Sequence, residues 1–251
     1  MTDLLRSEFF KLRTVRLNVW LPFGAVLALV VVTGLVGVLS SGVESTDGGD
    51  LMSVIGGFSV LVSMMIGVGT SLGVTGEFSH NTIRPTLAAT PTRSSVFLAK
   101  AIVSAVFGLV VGTAAAVSSY LVGSILLNAR GADVALSGAD GSLAAFFGVI
   151  VLAVLLALFG YGLGLLLRSA PAAVSIIILW PLLIESILSG VLGVAGVEDP
   201  QRFLPYTSAF ALVIPDPSDA PGGRIYGGVF FGLVSLGLVA LGIVANQRRD
   251  V

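Results

Sequence analysis

Glu77, Arg84, Arg93 and Lys100 fall within one short stretch of an otherwise apolar chain, and Glu185 stands alone inside another apolar run. Charges clustered like the first four can pair with one another or present a charged surface to a second protein. A lone carboxylate such as Glu185 is costly among apolar residues, by a few kcal/mol on membrane-insertion scales, so it must face protein or water. Two roles fit it: a substrate-contacting or gating carboxylate, or a structural acid near the outer interface held by backbone or water. Covalent and metal chemistry find little to work with. The 251 residues include no cysteine and a single histidine, His80, so thiolate nucleophiles, disulfides and multi-histidine metal sites are excluded. His80 reads as a solvated or interface residue. An intramembrane protease or lipid phosphatase needs paired acids, or His with Glu, at bilayer depth, and no partner for Glu185 is evident there. The chain also has no G-x-x-x-x-G-K-[ST] phosphate loop, so it cannot cradle ATP by that route.

The elements that position these residues are set by hydropathy. Hydrophobic residues make up 55% of the chain and charged residues 11%, with a mean hydropathy of +1.03. A soluble domain carries about 25% charged residues, so lipid is the solvent for most of this protein. A spanning helix needs about 20 mostly apolar residues. Six stretches qualify: 17–39, 51–74, 96–127, 143–167, 169–191 and 225–245. The first exceeds the roughly 7–15 residues of a signal-peptide core, and Ser40-Ser41-Gly42 is a poor cleavage site, so it is expected to stay as an uncleaved helix. The third is longer than a span requires and is expected to tilt or to stand out of the bilayer. Pro171 and Pro181 are expected to kink the fifth.

Lysine and arginine set the orientation. Arg6, Lys11, Arg13, Arg16, Arg84, Arg93, Lys100, Arg168, Arg248 and Arg249 fall on one side, and only Arg130, Arg202 and Arg224 on the other. The first side is therefore expected to be cytoplasmic, with both termini inside. Most acids, among them Glu44, Asp47, Asp50, Asp133 and Asp140, lie on the opposite side. The net charge of -1 gives no reason to expect a nucleic-acid partner. The chain reads as one transmembrane domain over 1–251, with no internal repeat that would support an inverted-repeat transporter.

Two polar segments flank these spans. In 1–16, Leu4, Leu5, Phe9 and Leu12 share a helical face beside Arg6, Lys11, Arg13 and Arg16, which suits either a helix lying on anionic membrane lipid or an ordinary basic flank. In 76–95, mixed polar and apolar residues predict a short amphipathic helix anchored by Phe78, Ile83 and Leu87 and ended by Pro91. Arg93 and Lys100 then lie at the membrane surface.

The order Glu77, Thr82, Leu87, Pro91, Arg93, Lys100 resembles the coupling-helix region of ABC transporter permeases of the type-2 export class. In that class a glutamate closes the second helix, a short helix and a Pro-x-x-Arg-like turn follow, and a lysine stands early in the third. Residues 7–14, Ser-Glu-Phe-Phe-Lys-Leu-Arg-Thr, resemble the family's opening interfacial helix, and 204–209, Leu-Pro-Tyr-Thr-Ser-Ala, its motif before the last span. Asn81 stands where glycine is usual, and Pro85 would kink the coupling helix.

The resemblance implies an all-α integral membrane protein with six transmembrane helices. It adds an N-terminal interfacial helix, a cytoplasmic coupling helix between helices 2 and 3, and re-entrant helices before helix 6, within 188–224. It implies ATPase coupling through Glu77, Thr82, Arg84, Leu87, Arg93 and Lys100; the expectation of substrate contact or gating at Glu185 rests on its charge within an apolar span instead. ATP and Mg would be bound by a separate ABC ATPase subunit and no cofactor by this chain. A second permease copy would complete a homodimer in the bacterial cytoplasmic membrane. The alternative is an ATPase-independent carrier, channel or scaffold. Spans lined mostly by Val, Leu, Ala, Gly and Ser are compatible with a hydrophobic or amphipathic cargo. The G-x-x-x-G pairs 69/73, 108/112, 160/164 and 228/232 read as generic close packing.

Overall fold

The computed structural model describes residues 7–9, 16–83, 85, 93–217 and 222–248. A backbone in lipid must satisfy its own polar groups, which long apolar runs do by forming helices. Among the described helices are α1 (Arg16–Leu39), α2 (Gly48–Ser79), α3 (Arg93–Asn128), α4 (Ser142–Leu167), α5 (Ala170–Leu179), α6 (Glu185–Val194), α7 (Pro205–Phe210) and α8 (Gly223–Arg248). A π-helical turn, Trp180–Ile184, joins α5 to α6, so these two form one interrupted fifth span. Six helices are thus long and apolar enough to cross a membrane. The boundaries differ most around the second span, where α2 begins three residues before the apolar run and continues through Glu77 to Ser79. Its 32 residues measure about 48 Å at 1.5 Å per residue, so it overhangs a hydrocarbon core of about 30 Å.

α4 is the centre of the bundle, packing against α2, α3, α5 and α8. Small residues permit this. A β-carbon on Gly160 would run into the backbone carbonyl of Gly67 on α2, and Gly108 and Gly112 of α3 seat against Ala153 of α4. Gly73, by contrast, faces open space. α1 leans on α2 and α3 and turns Trp20, Phe23, Leu27, Val31 and Leu35 outward at helical spacing.

Helix ends are satisfied locally. Asp47 and Asp50 form a capping box at the start of α2. The Arg130 guanidinium donates to the carbonyls of Gly37, Val38 and Ser40 at the end of α1, at 2.7, 2.9 and 2.8 Å. Arg224 donates likewise to Ile214 and Pro215 at 2.7 and 3.0 Å. Two of the three arginines on the acidic side are therefore committed to terminating backbone. Pro171 stands in the first turn of α5, where a missing N–H costs nothing, so it starts the helix rather than kinking it. Pro181 sits in the π-turn. Of the region expected to be re-entrant, residues 188–194 still belong to the fifth span. Residues 205–215 return to the bundle, where the Leu212 and Val213 carbonyls press onto Gly148 and Gly56.

Candidate functional site

Val96, Phe97, Lys100 and Ala101 lie on one face of the first turns of α3 and all are buried. That spacing carries the Lys100 ammonium inward with its apolar neighbours. There Nζ donates to Glu8 Oε2 and to Glu77 Oε1, both at 2.6 Å. Lys100 and Glu8 are 6% and 7% exposed at the side chain, and Glu77 15%. The ion cluster thus joins three chain segments: residues 7–9, the last turn of α2 and the start of α3. Buried charges of this kind are strongly destabilising when one partner is removed, by about 3–5 kcal/mol. Just beneath, the Tyr161 hydroxyl of α4 donates to the Phe97 carbonyl at 2.8 Å.

The turn that leaves α2 is fixed by backbone hydrogen bonds. Asn81 N–H donates to the Phe78 carbonyl at 3.2 Å and Thr82 N–H to the Glu77 carbonyl at 3.0 Å, the paired pattern of a Schellman C-cap. That motif needs a left-handed residue at its corner, and Asn81 supplies it with φ 56. This is why asparagine can stand where glycine is usual, since its short polar side chain tolerates the conformation. The turn aims Ile83 back into the bundle, 1% exposed, among Val74, Val96, Phe97, Tyr161 and Leu165, with Phe78 packed against the same cluster.

A second polar group meets the same helix end. Arg168 closes α4 in a left-handed conformation, φ 53. Its Nε donates to Asn246 Oδ1 at 2.7 Å, and its guanidinium lies 4.8 Å over the Phe78 ring. Asn246, fully buried in α8, donates to the Leu165 and Gly242 carbonyls at 2.8 and 2.7 Å. Neighbouring residues of α2 therefore reach different elements. Glu77 binds α3 and, through Lys100, residues 7–9; Phe78 meets Arg168 at the end of α4 and, through it, Asn246 of α8. Among the described residues no group of side chains could hold a metal ion. The arrangement is a brace that ties the last turn of α2 to α3, α4, α8 and residues 7–9.

Of the residues singled out from sequence, Glu77 and Lys100 come together and Thr82 sits on the turn beside them, its hydroxyl 3.4 Å from the Glu77 carbonyl. Arg84 and Leu87 lie outside the described residues, and of Arg93 only the backbone is described, at the start of α3. Glu8, Arg168 and Asn246 were not singled out as site residues. The one signal for Glu8 was its place in the N-terminal segment, 92 positions from Lys100.

Glu185 lies at the opposite end of the bundle, 1% exposed. Its Oε1 accepts from Trp180 Nε1 at 3.0 Å and from the Tyr206 amide at 2.8 Å. Its Oε2 accepts from the Thr207 amide at 2.8 Å and the Thr207 hydroxyl at 2.7 Å. The carboxylate thus caps the N-terminus of α7, where free amides favour an anion.

A family model described as ABC-2 family transporter protein matches residues 4–179. The match takes in Glu8, Glu77, Lys100 and Arg168 and stops before Glu185. No curated protein matches the chain.

Proposed function

The chain belongs to the ABC-2 family of transporter proteins, and from that premise we propose that it is the transmembrane subunit of an ATP-driven exporter, served by a separate ATPase. Membership of the family and six membrane-length apolar helices make it a multi-pass transporter subunit. The single observation that carries the finer reading is Lys100 bridging Glu8 and Glu77. This brace stands where the chain leaves α2, so an ATPase docked on residues 80–92 would drive the bundle as a body. Thr82, Arg84, Leu87 and Arg93 belong to the docking surface in this reading. ATP and Mg bind the ATPase chain. Two copies of the permease enclose the path, with the loop and both termini on the cytoplasmic side of a bacterial cytoplasmic membrane. The cargo is hydrophobic or amphipathic.

The test is gentle purification of the tagged full chain from its native membranes, with mass spectrometry of what accompanies it. The expected result is a stoichiometric partner carrying a phosphate loop, depleted or uncoupled from transport in Glu77→Gln and Arg93→Ala. A chain that yields no ATPase, either in detergent or after crosslinking in intact membranes, would overturn the exporter reading in favour of an ATPase-independent carrier or channel.

A further inference from the structure

The fifth span is fastened to the bundle unevenly. Its first half is held by Ala173 and Ile177, both fully buried. From Leu179 to the end of α6 every residue is exposed or half-buried except Glu185. One buried carboxylate therefore does for the outer half what two apolar side chains do for the inner half.

The backbone between the halves is weakened at the same place. Residues 180–184 are π-helical, a form that marks a local break in the α-helical ladder. Pro181 has no N–H to return to the Ile177 carbonyl one turn back. That carbonyl instead receives the Tyr206 hydroxyl, at 3.4 Å. Tyr206 thus touches the fifth span twice, with its amide on Glu185 and its hydroxyl at the interrupted turn.

The other side of the contact is rigid. The Tyr206 ring is wedged edge-on against Phe159 of α4 and Phe231 of α8, with centroids 5.3 and 5.0 Å away. The Leu212 and Val213 carbonyls fit against Gly148 and Gly56, where a β-carbon would collide. Segment 205–215 is thus packed into α2, α4 and α8, while residues 180–194 form an arm that starts at the π-turn.

We propose that Glu185 is the latch of this arm: its carboxylate, seated on the Tyr206 and Thr207 amides and the Thr207 hydroxyl, holds the outer half of the fifth span against the bundle, and its release swings the arm away to open the outer end of the path. The inference rests on the exporter reading for what the opening serves. The arm and the latch rest on the geometry alone.

The chain contains no cysteine, so Val191→Cys on the arm and Phe147→Cys on the outer turns of α4, both exposed, can carry nitroxide labels without background. Distances are read by pulsed electron paramagnetic resonance in lipid nanodiscs, spin-diluted with unlabelled chain. The parent pair is expected to give one narrow distance. Glu185→Ala should add a longer, broader population, and Glu185→Gln a smaller one. Thr207→Val keeps the side-chain shape and deletes one of the four donors, so it reads the same latch where the alanine variant is not recovered folded; a longer minor population is expected. An unchanged narrow distance in folded Glu185→Ala or in Thr207→Val would overturn the latch. A fixed brace is separated from a latch by the wild-type pair in complex with its copurifying ATPase, trapped with Mg·ATP and vanadate. The latch predicts the same longer population there, and an unmoved distance would overturn it. Failure of the exporter reading shows itself differently, as absence of any ATPase, and leaves the nanodisc result standing.

Discussion

Lys100 Nζ lies 2.6 Å from Glu77 Oε1, so the last turn of α2 and the first turns of α3 are joined by a charge pair beneath the protein surface. Glu8 Oε2, at the same distance from the same ammonium, extends the pair to the N-terminal segment. Lys100→Met keeps the length and apolar stem of the side chain while leaving two carboxylates without that cation. We expect a loss of about 3–5 kcal/mol, the usual consequence of orphaning a buried charge. Thermal unfolding in nanodiscs measures it, and Lys100→Met combined with Glu77→Gln should recover part of the loss through their shared contact. A Lys100→Met chain as stable as the parent would mean that the cluster contributes nothing to the brace.

The crossing of α2 and α4 makes a sharper packing prediction. Gly160→Ala places a methyl group against the Gly67 carbonyl, where the backbones must part for it to fit. Overpacking of this kind costs about 1–3 kcal/mol. Gly73→Ala, on a helix side that faces open space, should be neutral or slightly stabilising, because alanine is the better helix former. Comparing the two melting temperatures in the same lipid checks the contrast, and equal effects would contradict the close approach.

Hydropathy made the six spans legible, because a 20-residue apolar run has one stable conformation in lipid. The positions of Glu77 and Lys100 were legible from their order along the chain. Their contact with Glu8 was not, since a polar residue 92 positions away leaves no periodicity that points to its partner. Glu185 was conspicuous as a charge in an apolar run, yet three of its four donors lie 21 and 22 positions downstream in a segment whose fold depends on glycine notches in α2 and α4. Asn81 looked like a departure from pattern, and the left-handed corner it occupies shows the same geometry met by a different residue. The roles of Pro171 and Pro181 separated only once their positions were known, one in a first helical turn and the other in a π-turn.

Arg168 and Asn246 couple the ends of α4 and α8. Asn246→Leu fills the site but removes two donors from buried carbonyls and the acceptor of Arg168 Nε. A loss of about 1–3 kcal/mol is expected for buried polar groups left unmet. Arg168→Lys keeps the charge but not the planar fork that binds Asn246 and covers Phe78, so it should fall between the parent and Asn246→Leu in thermal unfolding. A lysine variant equal to the parent would show that charge alone suffices at this corner.

Asp140 carries a pH dependence at the opposite end. It precedes α4, and its Oδ1 accepts the Ser142 amide at 2.9 Å. The Ser142 hydroxyl beside it, opposed by slight desolvation and aided by backbone donors, holds its carboxyl below the usual 3.8. Because the folded value lies below the unfolded one, the anion's contribution to stability is fully present above the unfolded value. It is lost as pH falls through the lower folded value. The contact therefore persists at neutral pH and fails only in acid. Carbon-13 NMR of the Asp140 carboxyl in nanodiscs should show a midpoint below 3.8, and Ser142→Ala, which keeps the amide and deletes the hydroxyl, should raise it. A midpoint that Ser142→Ala leaves in place would remove the hydroxyl as the cause and leave the depression to the backbone donors at the start of α4.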